Sequence, residues 1–178
     1  MALKATIFKA DLQIADMDRN HYQDYALTIA RHPSETDRRM MVRILAFALH
    51  AQEGLAFTRG LSTDDEPDLW CKSLSDEILT WIDLGQPDEK RIRKACGRAK
   101  AVWIYTYNDR SARVWFEQFE GKLERFENLH IIHLPETGIT QLAKLAQRNM
   151  QLQCSIQDGA IWLGDAEQSI PVESKCWK

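Results

Sequence analysis

TWIDLGQPDEKRIRKACGRAKAVWIYTY, residues 80–107, changes its pattern twice within one short stretch. Its opening belongs to ILTWIDLG, a short apolar run that reads as a strand ending at Gly85. Pro87 then stands where a first-turn proline is tolerated. Asp88 and Glu89 lie where the helix dipole favours negative charge, and the basic run KRIRKACGRA follows. This predicts a helix ending near Gly97. AVWIYTY, from Ala101 to Tyr107, is apolar again and of strand length.

Downstream, SARVWFEQFEGKLERF carries Val114, Trp115, Phe119, Leu123 and Phe126 in a helical stripe, and LHIIHL reads as a buried strand. Thr140 to Arg148 reads as a short helix. LQCSIQDGAIWLGD reads as a hairpin turned by Asp158-Gly159, a type I′ signal. Upstream, LAFTRG and DLWCKS read as strands separated by the acidic loop STDDEP. ETDRRMMVRILAFALHAQE, after Pro33-Ser34, repeats Met41, Ile44, Leu45, Ala48 and Leu49 at helical spacing until Glu53-Gly54 ends it. Residues 4–16 alternate Phe8, Leu12 and Ile14 with Lys9, Asp11 and Gln13 as a strand does, and Asp18-Arg19-Asn20 breaks the pattern. HYQDYALTIAR, 21–31, has Tyr25, Leu27 and Ile29 on one parity. It reads as a returning strand, although the same pattern suits a helix. The expected class is α/β: a central mixed sheet flanked by helices, with hairpins at the N-terminal and C-terminal ends.

The chain has 178 residues, 44% hydrophobic and 28% charged, with no internal repeat or low-complexity segment. That length predicts a single domain over 1–178 with a sizeable core. A net charge of −3 excludes a global basic field, so any nucleic-acid contact must be local. Cys71, Cys96, Cys154 and Cys176 form no CxxC pair and have no zinc-site spacing. The N-terminal residues MALKATIFKADLQIAD have no secretory pattern, and no apolar run approaches the roughly 20 residues of a membrane span. Together these predict a cytoplasmic protein without membrane segments, with free and mostly buried thiols.

The chemistry concentrates between Glu53 and Lys94. Asp83 lies between Ile82 and Leu84 in an apolar strand, and Asp68 follows Pro67 at the start of another. Ionised carboxylates are rarely buried without a partner. One solution is Mg²⁺ or Mn²⁺, which takes oxygen ligands, leaves room for water and a substrate phosphate, and makes its water more acidic. The other is pairing with backbone N–H groups or a nearby arginine. On the basic side, Lys72 shares strand parity with Asp68 and Trp70. Lys90 and Lys94 stand one helical turn apart. The run KRIRK also suits a solvated helix face paired with Asp88 and Glu89. His50, His130 and His133 read best as structural residues, and the six tryptophans as core, with Trp70 able to stack on a base.

Glu53 at a helix end, Pro67-Asp68 at a strand start and Asp83 in the next strand resemble the PD-(D/E)XK nuclease superfamily. PDLW, then WIDLGQPDEKRIRKACGRA and VWIYTY, resemble the YaeQ family over nearly the whole chain. The resemblance implies a restriction-endonuclease-like core with the acids near the centre of its sheet. It further implies a metal set of Glu53, Asp68 and Asp83, and so a Mg²⁺- or Mn²⁺-dependent phosphodiesterase or nuclease acting on nucleic acid. The chain departs from the nuclease pattern two residues after Asp83, where Gly85 replaces the usual lysine. Lys90 or Lys94 is expected to supply that charge, with Gln86, Arg91, Arg98 and Lys72 as phosphate contacts. The alternative is a catalytically degenerate nuclease fold that binds nucleic acid or a protein partner.

Overall fold

The computed structural model describes residues 4–59 and 65–178; the first half of the expected loop STDDEP lies outside them. The chain forms two compact units, one from residues up to Ala48 together with Thr137–Glu173, the other from Leu49–Glu136 together with Ser174–Lys178.

The first unit is built on β1 (Thr6–Asp16) and β2 (His21–Arg31), a hairpin in full antiparallel register from Thr6↔Arg31 to Asp16↔His21. Asp16 shapes its turn by accepting the N–H groups of Asp18 and Arg19, each at 3.1 Å, and Asn20 completes it at φ 54°. β8 (Asn149–Gln157) and β9 (Ala160–Gly164) make a second hairpin. Asp158 and Gly159 have φ 50° and 78°, the left-handed pair that a type I′ turn requires. β10 (Ser169–Val172) pairs with β9, and β1 pairs with β8 in parallel, giving the order β10-β9-β8-β1-β2. Buried residues alternate along β1 and β8, as they do in a sheet covered on one face.

Helix α1 (Asp37–His50) begins in this unit and is buried from Met40 to Ala48. It is fastened to β2 by a buried ion pair: Arg43 donates to Glu35 Oε1 at 2.7 Å and to the Ala30 carbonyl at 3.1 Å. The expected short helix is α4 (Glu136–Ala143); it starts four residues before Thr140 and stops well short of Arg148.

The second unit has the strand order β11-β7-β6-β5-β4-β3, with β3 (Leu55–Phe57), β4 (Leu69–Lys72), β5 (Ile78–Leu84), β6 (Ala99–Thr106), β7 (Leu129–His133) and β11 (Lys175–Cys176). β5, β6 and β7 run parallel, joined through α2 (Glu89–Arg98) and α3 (Asp109–Leu123). β3, β4 and β11 pair antiparallel at the flanks. Trp81, Val102, Ile104, Leu129 and Ile131 on the strands pack with Ile92 and Ala95 of α2 and Trp115 and Leu123 of α3. The mixed α/β class is as expected, but the strands form two sheets rather than one central sheet. The terminal hairpins belong to a sheet of their own, because the parallel β1–β8 pairing joins them. Among the described residues no helix is long and apolar enough to cross a membrane. Cys71 and Cys154 are buried, Cys96 is half-buried and Cys176 is exposed; all four are free.

Candidate functional site

Asp68 and Asp83 come together in the second unit. Leu69 pairs with Ile82, so the two acids are neighbours at the end of the β4–β5 ladder, and both are almost fully buried. A network of hydrogen bonds fixes them. The Asp68 N–H donates to the Ile82 carbonyl at 3.0 Å, and the Leu84 N–H donates to Asp68 Oδ2 at 2.9 Å.

Asp83 takes the arginine solution. Arg91 donates through Nε to Oδ2 and through Nη2 to Oδ1, both at 2.9 Å, and Trp81 Nε1 donates to Oδ2 at 3.0 Å. Trp81 precedes Asp83 by two residues and so shares its face of β5, a strand-parity signal open to a sequence reading but missed there. Burial pushes the Asp83 carboxyl above its ordinary range, the Arg91 hydrogen bonds and charge pull against that, and the charge of Asp68 adds to the rise.

Arg91 reaches Asp83 because α2 is set by its cap. Asp88, in extended conformation, accepts the Arg91 N–H at 2.8 Å. Pro87 therefore precedes the cap instead of filling the first turn, and its carbonyl accepts Trp115 Nε1 at 2.8 Å. Ile92 and Ala95 face the core. Arg91 also donates to the Glu66 carbonyl at 2.9 Å, tying the segment before Pro67-Asp68 to β5.

The other candidates divide. Lys94 pairs with Asp65, and Arg98 donates to the Asp65 carbonyl at 2.8 Å while lying 5.2 Å over the Trp81 ring. The Lys94 hydrogen bond and charge hold the Asp65 carboxyl below its usual range. Lys90 is exposed. Lys72 rests 4.0 Å over the Trp70 ring, on the face whose parity it shares, with Asp76 3.5 Å away. Gln86 donates to Ser111 Oγ at 2.8 Å and so joins α3. Glu53 is exposed in the turn after α1, where its carbonyl meets the Cys71 thiol. Gly85 has φ 94°, a backbone that a lysine would adopt only with strain.

Among the described residues no group of three or more His, Cys, Asp or Glu side chains could hold a metal ion. Asp68 and Asp83 suit Mg²⁺ by donor type, as two carboxylates side by side. The rest of its shell would be water and substrate oxygen, the usual habit of this ion. The fit requires Arg91 to yield Asp83, whose two oxygens it now holds.

The three histidines that the sequence singles out are held by neighbouring side chains. His133 bridges Thr106 Oγ1 at 2.7 Å and Asp109 Oδ1 at 2.8 Å, and stacks 4.5 Å from Trp177. His50 shares a 2.6 Å hydrogen bond with the Tyr105 hydroxyl, and His130 stacks 4.2 Å from Trp103.

Residues 1–174 match the family model described as "YaeQ protein". The chain is 49% identical over 178 residues to an uncharacterised YaeQ protein of Salmonella typhi and 48% identical to that of Escherichia coli K12. It is covered in full in both alignments, and 98% of each relative is covered. The crystal structure of YaeQ from Xanthomonas axonopodis pv. citri superposes with a TM-score of 0.94 at 43% identity, covering 98% of both chains. That of YaeQ from Pseudomonas syringae gives 0.93 at 37%, covering 98% of this chain and 96% of the other. With a family model matched over residues 1–174, relatives about half identical over the whole chain and a nearly superposable backbone, the chain belongs to the YaeQ family.

Proposed function

We propose that the second unit is a restriction-endonuclease-like core of the PD-(D/E)XK superfamily, acting in the cytoplasm as a Mg²⁺- or Mn²⁺-dependent phosphodiesterase on nucleic acid. One observation carries the reading: Asp68 and Asp83 lie side by side, almost fully buried, at the ends of adjacent strands. Like charges at this depth repel, and a cation between the two carboxylates would relieve that repulsion. Bound between them, the metal would polarise a phosphoryl oxygen and make a water more acidic.

The chain's own residues supply the rest. The Leu84 N–H orients Asp68, and Trp81 orients Asp83. Lys90 is exposed at the start of α2, where its ammonium can meet a phosphate without giving up a buried partner. Lys94 and Arg98 instead hold the Asp65 segment and reach a substrate only by releasing it.

A second reading, a degenerate nuclease fold that binds nucleic acid or a protein without cleaving it, draws on a different observation. Arg91 already neutralises Asp83, and Gly85 stands where the superfamily places its lysine.

Calorimetric titration of Mn²⁺ into the wild type, Asp68→Ala and Asp83→Asn tests the site. The reading predicts uptake by the wild type that falls at least ten-fold in both folded variants, followed by cleavage of DNA or RNA. Equal uptake by all three proteins would sink the site assignment, and uptake without cleavage of either nucleic acid would favour the binding module.

A further inference from the structure

The counter-charge of the acid pair is built into the fold. Arg91 holds both oxygens of Asp83 and the Glu66 carbonyl, so one guanidinium bridges β5 and the segment that leads to Asp68. The Asp83 side chain is 4% exposed and that of Arg91 27%, so solvent meets this ion pair mainly through the arginine.

We propose that Arg91 and a divalent cation are alternative partners of Asp83, and that Arg91 gates the site by passing from the carboxylate to a phosphodiester as the metal enters. The proposal rests on the nuclease-like reading and adds to it how the site is opened. A cation seated on either Asp83 oxygen would lie against the guanidinium, and like charges at that separation repel strongly in a poorly solvated site. Oδ2 already accepts Trp81 Nε1 and Arg91 Nε, and Oδ1 accepts Arg91 Nη2, so a cation and the guanidinium compete for the same two oxygens. What draws Arg91 off must offer the same paired acceptors, and the two non-bridging oxygens of a phosphodiester match the guanidinium fork as a carboxylate does. Substrate and metal therefore favour each other's binding: each removes the charge that opposes the other.

The test is Mn²⁺ titration by calorimetry into the wild type, Asp83→Asn, Arg91→Gln and the double variant Arg91→Gln/Asp83→Asn, with folding checked by circular dichroism. Arg91→Gln is expected to bind Mn²⁺ at least ten-fold more tightly than the wild type, and the double variant to lose that gain. If the wild type binds through Asp83 and Arg91→Gln binds equally or more weakly, the gate is overturned while the nuclease-like reading stands. If neither the wild type nor Arg91→Gln takes up Mn²⁺, the metal reading falls and takes the gate with it.

Because Arg91→Gln leaves Asp83 without its counter-charge and can unfold, the wild type provides a second readout. The Arg91 Nε–H resonance in ¹H–¹⁵N spectra is expected to leave its carboxylate-bound position when Mg²⁺ and a short phosphorothioate oligonucleotide saturate the protein, as its acceptor changes from Asp83 to a phosphodiester. A resonance that stays in place at saturation overturns the gate.

Discussion

Asp83 is a carboxylate among Ile82, Leu84 and Trp81, and folding satisfies it with one guanidinium and one indole. Replacing it with the near-isosteric Asn keeps the acceptor but leaves Arg91 without an opposite charge. Asp83→Asn is therefore expected to remain folded and to lose about 2 kcal/mol in urea denaturation at neutral pH. A loss near zero would show that the pair is nearly neutral for folding. A second acid gives a pH signature. Burial opposes ionisation of Asp109, but the His133 hydrogen bond, the Glu136 N–H and nearby positive charge outweigh it and lower its carboxyl. A lowered folded-state value stabilises the fold above the ordinary carboxylate range and loses that contribution as pH falls through it. The Tm difference between wild type and Asp109→Asn should thus be largest near neutrality and shrink below about pH 4; a difference independent of pH would count against the pairing. Asp68 and Asp83 stood out in the sequence because acids beside apolar strand residues demand partners. Which base would serve them was harder to read: Ile92 and Ala95 turn α2 so that Arg91 meets Asp83 while Lys90 stays exposed.

At the scale of the element, α2 aims that arginine. Its cap is a single side chain, Asp88, bonded to the N–H of Arg91 itself. Asp88→Ala should cost about 1 kcal/mol and lower Tm by roughly 2–4 °C, readable by thermal melting monitored at 222 nm. An unchanged Tm would mean that Pro87 and the packing of Ile92 fix the helix start unaided. The hairpins at either end of the chain were legible because alternation and the Asp158-Gly159 turn are local signals, and the left-handed φ values of both turn residues agree with them. The limits of α4 were not. Glu136 and Asp109 accept each other's backbone N–H groups at 3.0 Å, so the start of α4 is set by α3, a partner 27 residues away. Lys72 keeps the strand parity it shares with Trp70, whose ring it covers, and its ion pair is with the exposed Asp76.

For the whole molecule, two units of interleaved sequence mean that stability need not be uniform. Trp177 stacks on His133 and lies 5.1 Å from Phe116, holding the short β11 on β7. Trp177→Ala should cost about 2 kcal/mol and speed hydrogen exchange in β7 and β11, while β1 and β2 keep their protection. Uniform loss across both sheets would mean that the units unfold as one. The sequence by itself determined the α/β class, nearly every strand and helix and the two acids of the candidate site, because periodicity, turn chemistry and a charge in an apolar run are written in neighbouring residues. Only the tertiary structure decided that the strands divide into two sheets, since the pairing of β1 with β8 joins segments about 140 residues apart with no local mark of their meeting. It alone also decided that Arg91, among five basic residues on one helix, faces Asp83. The rotation of a helix on a sheet is settled by which apolar side chains reach the core, and the charged ones take the positions that remain.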